Sequence, residues 1–315
     1  MRTAIMMFVV VTLAATTVPE TSLVSGLVAQ GAEMKPKGHD GRMQWGKPLC
    51  REFATVHKWG NRQLISDAPA LMKLPDGTLL CSVQLWSRDD AIVQERYGRN
   101  RCLIFASTDE GATWQERSRI PFNTGKFLLH NDLLYFIGSG IKWQGLHITS
   151  SSDHGETWSN PVQLRNGKVY AASTGWVRRG NTLYWAADDM NRSVKDRAVF
   201  AFGCDLSRDP LDTGSWQFSN DERHPGLPQS LGRGRHNGGK WLEPNVVDLD
   251  GELLVIVRVR ASQGNVDGVV PNMAAICSLE ETENDELTLK FSHYYPSPGA
   301  QNQFHIIKDE ERGLY

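Results

Sequence analysis

From about residue 49 onward, hydrophobic and polar positions alternate in a unit that recurs along the chain. A short polar or glycine-containing turn is followed at once by an apolar pair that opens a strand. The units are Pro75-Asp76-Gly77-Thr78-Leu79-Leu80, His130-Asn131-Asp132-Leu133-Leu134-Tyr135, Arg179-Gly180-Asn181-Thr182-Leu183-Tyr184 and Leu249-Asp250-Gly251-Glu252-Leu253-Leu254. A fifth runs from Lys308 to Tyr315. The strands after these turns are greasy at every position, as in Leu253-Leu254-Val255-Ile256-Val257, which is how a strand covered on both faces reads. No long stretch of the folded region carries helical periodicity. The pattern predicts an all-β fold of short hairpins whose sheets are sandwiched between one another.

A second repeat runs in step with the first. Ser107-Thr108-Asp109-Glu110-Gly111-Ala112-Thr113-Trp114 and Ser151-Ser152-Asp153-His154-Gly155-Glu156-Thr157-Trp158 both read Ser-x-Asp-x-Gly-x-Thr-Trp. Each residue type has a reason to be there. The aspartate accepts hydrogen bonds from its own turn, the glycine takes positive φ without a steric cost, and the tryptophan buries a large ring against a neighbouring sheet. A worn third copy is Asp212-Thr213-Gly214-Ser215-Trp216. Recurrence at this period marks a propeller or array. The motif resembles the Asp-box of the sialidase superfamily, and the resemblance extends over roughly residues 50 to 315. It implies a β-propeller of four-stranded blades around a central channel, of the six-bladed sialidase-like type. Counting turns gives about four and a half blades, so the sequence is expected to stop before the ring closes.

Composition adds boundaries. The chain is 40% hydrophobic and 22% charged with a formal net charge of -2, ordinary for a globular protein. Without a basic tract, nothing points to nucleic acid. Met1-Arg2 followed by the apolar run Ala4 to Ala15 reads as a secretory signal peptide, because the run is well short of the roughly 20 residues a membrane span requires. The expected organisation is therefore a signal peptide over 1–29, a flexible leader over 30–48 and the propeller over 49–315. The protein would be secreted or periplasmic, with no membrane association beyond export. Five cysteines, at 50, 81, 102, 204 and 277, show no metal-like spacing. Cys81 and Cys102 would face each other on neighbouring strands or serve as small buried hydrophobes. No metal or cofactor is expected.

The Asp-boxes are turns and identify no activity. The resemblance implies a catalytic set of an arginine triad for a substrate carboxylate, an aspartate acid/base, and a tyrosine nucleophile assisted by a glutamate. The family's first arginine precedes a Pro-containing strand ahead of an Asp-Gly turn. Here that place, in Asp67-Ala68-Pro69-Ala70-Leu71, is held by Asp67, which would repel a substrate carboxylate. Asp67 is then an acid, a base, a ligand for sugar hydroxyls or a strand-end turn residue. The loop Trp86-Ser87-Arg88-Asp89-Asp90 offers Asp89 and Asp90 as acid/base candidates and Arg88 as a substrate contact, or else a solvated ion pair. Trp241-Leu242-Glu243-Pro244 followed by the strand to Arg258 matches the family's glutamate and its following arginine. Glu243 would act as base or activate a nucleophile. Arg258 and Arg260, two apart on one strand face, would bind an anionic or hydroxyl-rich group. His236 and Asn237 lie in the polar loop just before and would contact substrate. Trp143, Trp176 and Trp185 are either sugar-stacking rings or sheet-packing ones. The remaining arginine and the tyrosine are expected beyond residue 315.

These features support a sialidase-like glycoside hydrolase acting on an extracellular glycan. Asp67 in the arginine position supports two other readings: a non-catalytic propeller that binds carbohydrate or protein, and a hydrolase of neutral sugars working through Asp67, Asp89 or Asp90 and Glu243.

Overall fold

The computed structural model describes residues 53–58, 64–191, 197–226, 240–260, 272–282, 286–300, 302–309 and 311–315. The expected signal peptide and leader, and the site candidates His236 and Asn237, lie outside the described residues.

The chain folds into four successive antiparallel meanders. The first is β1 (Ile65–Lys73), β2 (Leu79–Trp86), β3 (Cys102–Ser107) and β4 (Gln115–Ile120), hydrogen-bonded in that order. The second is β5 (Phe122–His130), β6 (Leu133–Gly140), β7 (Gln144–Ser151) and β8 (Val162–Tyr170). The third is β9 (Val177–Arg179), β10 (Thr182–Asp189) and β11 (Ala198–Asp205), completed by the short outer strands β12 (Trp216–Phe218) and β13 (Glu222–Arg223). The fourth is β14 (Lys240–Leu249), β15 (Glu252–Arg260), β16 (Met273–Glu281) and β17 (Leu287–Pro296). The predicted turns at Gly77, Asp132, Gly180 and Gly251 join the first two strands of each meander, and all four residues have positive φ.

Apolar residues fill the spaces between meanders. One cluster joins Ala70, Leu80 and Ile104 of the first to Phe127 and Phe136 of the second. A second joins Ile137 and Ile148 to Trp185, Phe200 and Phe202. A third joins Tyr184 and Val199 to Trp241, Val255 and Val257. The second and third meanders are thus covered on both faces, as inner blades of a propeller are, which accounts for their uninterrupted apolar runs, whereas along β15 of the fourth buried positions alternate with half-buried ones, so its apolar run is covered fully on one face only. Trp185 is fully buried in this packing. Cys81, Cys102, Cys204 and Cys277 are free, buried thiols, and burial pushes that of Cys81 up to about 12.

Both eight-residue motifs close the turn between the last two strands of their meander. In the second, Ser151 Oγ donates to Asp153 Oδ1 (2.7 Å), Gly155 N–H donates to Ser151 Oγ (2.8 Å) and Thr157 N–H donates to Asp153 Oδ1 (2.9 Å). Trp158 Nε1 then donates to Gly155 O (3.2 Å) and to Ser118 Oγ of the preceding sheet (3.0 Å). The worn copy keeps the ring anchor by another route, with Trp216 Nε1 donating to Pro210 O (2.8 Å).

The first strands of the meanders meet at residues 173–175. Ser173 Oγ is shared between Gly125 O (2.8 Å) and Ala68 O (3.3 Å). Thr174 Oγ1 donates to Pro244 O (2.6 Å), and Gly175 N–H donates to Asn245 Oδ1 (2.8 Å). Ile306 N–H donates to the same Asn245 oxygen (3.0 Å), which ties in segment 302–309. Lys126 Nζ donates to Thr174 O (2.7 Å). Gly175 is obligatory here, since a Cβ would sit 2.2 Å from Ile306 O. The expectation of loop from Trp86 to Asp90 needs correction: a helix, α1 (Asp90–Tyr97), starts at Asp90 and is capped by Asp89 and Gly98. No described helix is long and apolar enough to cross a membrane.

Burial works to raise the Asp153 carboxyl, but the hydrogen bonds of Ser151 and then Thr157 hold it down to about 2, against about 3.9 for an unfolded aspartate. Depression of the folded value means that the contribution is present above about pH 4 and is lost as pH falls toward 2. Asp153→Ala should therefore cost about 1 kcal/mol at pH 7, and the variant and the native chain should converge in denaturant midpoint near pH 2.

Candidate active site

Three of the four inner strands carry an irregularity near their start. The β1–β2 register shifts between Asp67 and Ala70, the β5–β6 register between Phe122 and Thr124, and the β14–β15 register between Leu242 and Asn245. Bulges re-aim side chains and gather at functional sites. In β1 and β14 the bulge contains a left-handed residue immediately before a proline: Ala68 at φ 48° and Glu243 at φ 52°. Non-glycine residues in this region carry strain of about 1–3 kcal/mol each. At the bulges stand Asp67, Asn123 and Glu243.

Asp67 and Asn123 line a cavity of about 640 Å³, well within the range of sugar-sized sites. Trp86, Trp143, Tyr170 and Arg197 also face it. Asp67 Oδ2 accepts from Trp86 Nε1 (3.0 Å). Burial raises the Asp67 carboxyl above its ordinary value, against the pull of that hydrogen bond. Glu243 is buried next to this wall. Its Oε2 accepts from Arg258 Nη1 at 2.5 Å. Burial also raises Glu243; Arg258 opposes the shift and the charge of Asp67 adds to it. The two carboxyls, 176 residues apart in sequence (243 − 67), are therefore electrostatic neighbours.

The sequence reading missed three members of this cluster. Asp188 is fully buried and holds the strained bulge: its Oδ1 accepts from the Glu243 backbone N–H (2.8 Å) and its Oδ2 from Arg197 (3.4 Å). Burial pushes Asp188 well up, partly offset by Arg197. Tyr170, at the end of β8, crosses to pair with Asp188 of β10. Its hydroxyl is raised by burial first and then by the charges of Glu243, Asp67 and Asp188. The one sequence signal for Asp188 is the pair Asp188-Asp189 closing the apolar strand Leu183–Ala187.

Other candidates lie elsewhere. Asp89 accepts from Ala91 N–H (3.0 Å) as the cap of α1 and does not line the cavity. Asp90 does line it, but is paired with Arg101 and with Lys142 (3.2 Å). The Arg101 hydrogen bond, with Lys142 behind it, keeps Asp90 below the usual carboxylate range, which suits a fixed anion and not a proton donor. Arg88 is exposed and away from the lining. Arg260 pairs across the sheet with Lys240. Trp143 faces the cavity and packs edge-on against Tyr170 with centroids 5.0 Å apart. Trp176 sits under the Lys126 ammonium (4.4 Å) and against Trp185 (5.6 Å). Among the described residues no group of three His, Cys, Asp or Glu side chains could hold a metal.

No protein-family model matches the chain, and no curated protein matches it. Among solved structures it is similar to a Penicillium chrysogenum α-L-arabinanase complexed with arabinobiose, at 12% identity and TM-score 0.43, over 72% of this chain and 66% of that one. It is similar to the GH93 α-L-arabinofuranosidase of Fusarium graminearum complexed with arabinobiose, at 12% identity and TM-score 0.44, again over 72% and 66%. A Bombyx mori GH32 β-fructofuranosidase in complex with sucrose gives 13% identity and TM-score 0.46, over 73% of this chain and 49% of that one. The chain thus spans less than two thirds of each of these proteins.

Because the folded Asp67 value lies above the unfolded one, its ionisation costs stability as pH rises through that window. Asp67→Asn should raise stability at pH 7 by about 0.5–2 kcal/mol, and the gain should vanish toward pH 4. Arg258→Ala should do the opposite, costing about 3–5 kcal/mol by leaving Glu243 buried without its cation. Thermal melts across pH check both.

Proposed function

We propose that this chain is a glycoside hydrolase of the two-carboxylate kind, with Asp67 and Glu243 as its working pair. The observation that carries the reading is their convergence: two bulges, on strands far apart in sequence, place Asp67 on a sugar-sized cavity and the desolvated Glu243 within electrostatic reach of it. Their surroundings divide the roles. Asp67 has no cation against it among the described residues, so burial favours its protonated form, and it gives its proton to the leaving glycosidic oxygen. Glu243 is held toward its ionised form by Arg258. It either takes a proton from an attacking water or itself attacks the anomeric carbon, according to the separation of the two groups. Tyr170, which lines the cavity and is kept neutral by burial and by the charges of both carboxyls, offers its hydroxyl to the sugar.

The finer assignment to sialic acids is less well supported. Gripping a substrate carboxylate requires uncommitted arginines, whereas Arg197 and Arg258 are each committed to a buried carboxylate. A neutral sugar suits Asp67 better. We further propose, from the Ala4 to Ala15 run, that the protein is exported and meets its glycan outside the cytoplasm, and that its meanders belong to a sialidase-like ring of six.

The test is turnover of neutral aryl glycosides, furanosides and pyranosides, beside a sialoside. Asp67→Asn and Glu243→Gln should each lower kcat by about 10²–10⁴ on the preferred neutral substrate. Sialoside cleavage unaffected by Asp67→Asn would overturn the role given to Asp67. A folded protein that cleaves nothing would leave a carbohydrate- or protein-binding propeller.

A further inference from the structure

Among the described residues, six buried side-chain polar atoms have no hydrogen-bond partner, and three of them belong to side chains lining the one cavity just described: Gln84 Oε1, Arg101 Nε and Asn123 Oδ1. Their side chains are 3%, 5% and 6% exposed, so open solvent does not satisfy them. Native proteins rarely leave such groups unpaired, because each costs about 1–3 kcal/mol. A concentration of them in one cavity wall marks a place built for a polar ligand.

The backbone explains why they converge. Gln84 is the cross-strand partner of Asp67 on β2. Leu85 N–H donates to Arg101 O (2.8 Å), which brings the arginine alongside. Asn123 stands at the β5 bulge, the position that in β1 carries Asp67, and β2 packs on β5. Arg101 Nη1 and Nη2 are taken by Asp90 and Gln94, leaving Nε. The wall therefore presents two amide acceptors with their own N–H₂ groups and one guanidinium donor, all beside Asp67. The same cavity is lined by Trp143, held by two consecutive left-handed residues, Lys142 at φ 54° and Trp143 at φ 65°. Strain of this kind at a cavity mouth fixes a side chain where function needs it.

We infer that Gln84, Asn123 and Arg101 form the hydroxyl-reading subsite of the cavity, recognising at least two neighbouring hydroxyls of a neutral sugar ring whose face rests on Trp143. Hydroxyls match this wall because each both donates and accepts. A carboxylate or phosphate does not match, since Asp67 and Asp90 would face it. The inference deepens the hydrolase reading and rests on it for the identity of the ligand, but it makes a claim about binding that can fail separately.

The experiment follows the intrinsic tryptophan emission, to which the cavity-lining Trp86 and Trp143 contribute two of ten rings, as the full chain is titrated with free neutral pentoses and hexoses, their monodeoxy counterparts, and glucuronate and inorganic phosphate as anions. At least one neutral sugar should bind, and removal of one hydroxyl should weaken it about tenfold. Asn123→Ala and Gln84→Ala should each weaken binding about tenfold and erase the preference for the hydroxyl over its deoxy counterpart. Asn123→Asp and Gln84→Glu restore the acceptor atom and should retain that preference, which separates recognition from a folding defect. Binding that does not distinguish sugars from deoxy sugars, tighter binding of the anions, or no response to any sugar would each overturn the inference. Normal sugar binding with no cleavage of any glycoside would sustain the subsite and sink only the hydrolase.

Discussion

The arrangement depends on a short hydrogen-bonded segment at the centre, Ser173-Thr174-Gly175. Its two hydroxyls satisfy backbone carbonyls from the first strands of the first, second and fourth meanders, and the Gly175 N–H donates to the Asn245 side chain. Two of those carbonyls are left over where the strands bulge. Ala68 O and Pro244 O lie within the two bulges that interrupt normal pairing. Left unpaired in a buried place, they would cost more than the bulges could recover. The central segment removes that cost and fixes the strained backbone at Ala68 and Glu243. The residues that support the sheets at the axis are thus the ones that set the working carboxyls at the cavity.

The electrostatics follow from the same burial. Four carboxylates and four cations lie at or beside the cavity, and three of the carboxylates have cations in contact: Asp90 with Arg101 and Lys142, Asp188 with Arg197, Glu243 with Arg258. Asp67 is the exception among the described residues, with the Trp86 indole N–H as its partner. An interior of low polarity penalises every unpaired charge, and at Asp67 burial raises the carboxyl with only the Trp86 hydrogen bond opposing it. Asp188 has a different task. It sits beneath Glu243, grips that residue's backbone N–H, and shares the burden of the buried arginine.

How much of this was legible in the sequence depends on whether a residue's task is local. The motif at Ser107–Trp114 and its copy at Ser151–Trp158 close their own turns, so spacing alone revealed them, and the hairpin turns at Gly77 and Gly251 were readable for the same reason. Asp67 and Glu243 stood out through the resemblance, Asp67 by holding the place of the family's first arginine and Glu243 by preceding the turn and strand that reach Arg258. Asp89 was misjudged because a helix-capping aspartate and a catalytic one look alike before α1 is seen to start beside it. Tyr170 was invisible because its role comes from β8 switching partners to β10, a long-range event. Gln84 and Asn123 were overlooked because an amide in a greasy run reads as a tolerated defect until the fold shows several of them on one wall.

The central claim is that Asp67 and Glu243 act as one unit. It is tested most directly by comparing kcat of the Asp67→Asn/Glu243→Gln double variant with those of the two single variants on the preferred neutral glycoside. Residues that act together lose their effect together. The account predicts that the double variant is little slower than the slower single variant. Losses that multiply would show two groups acting independently and would contradict it.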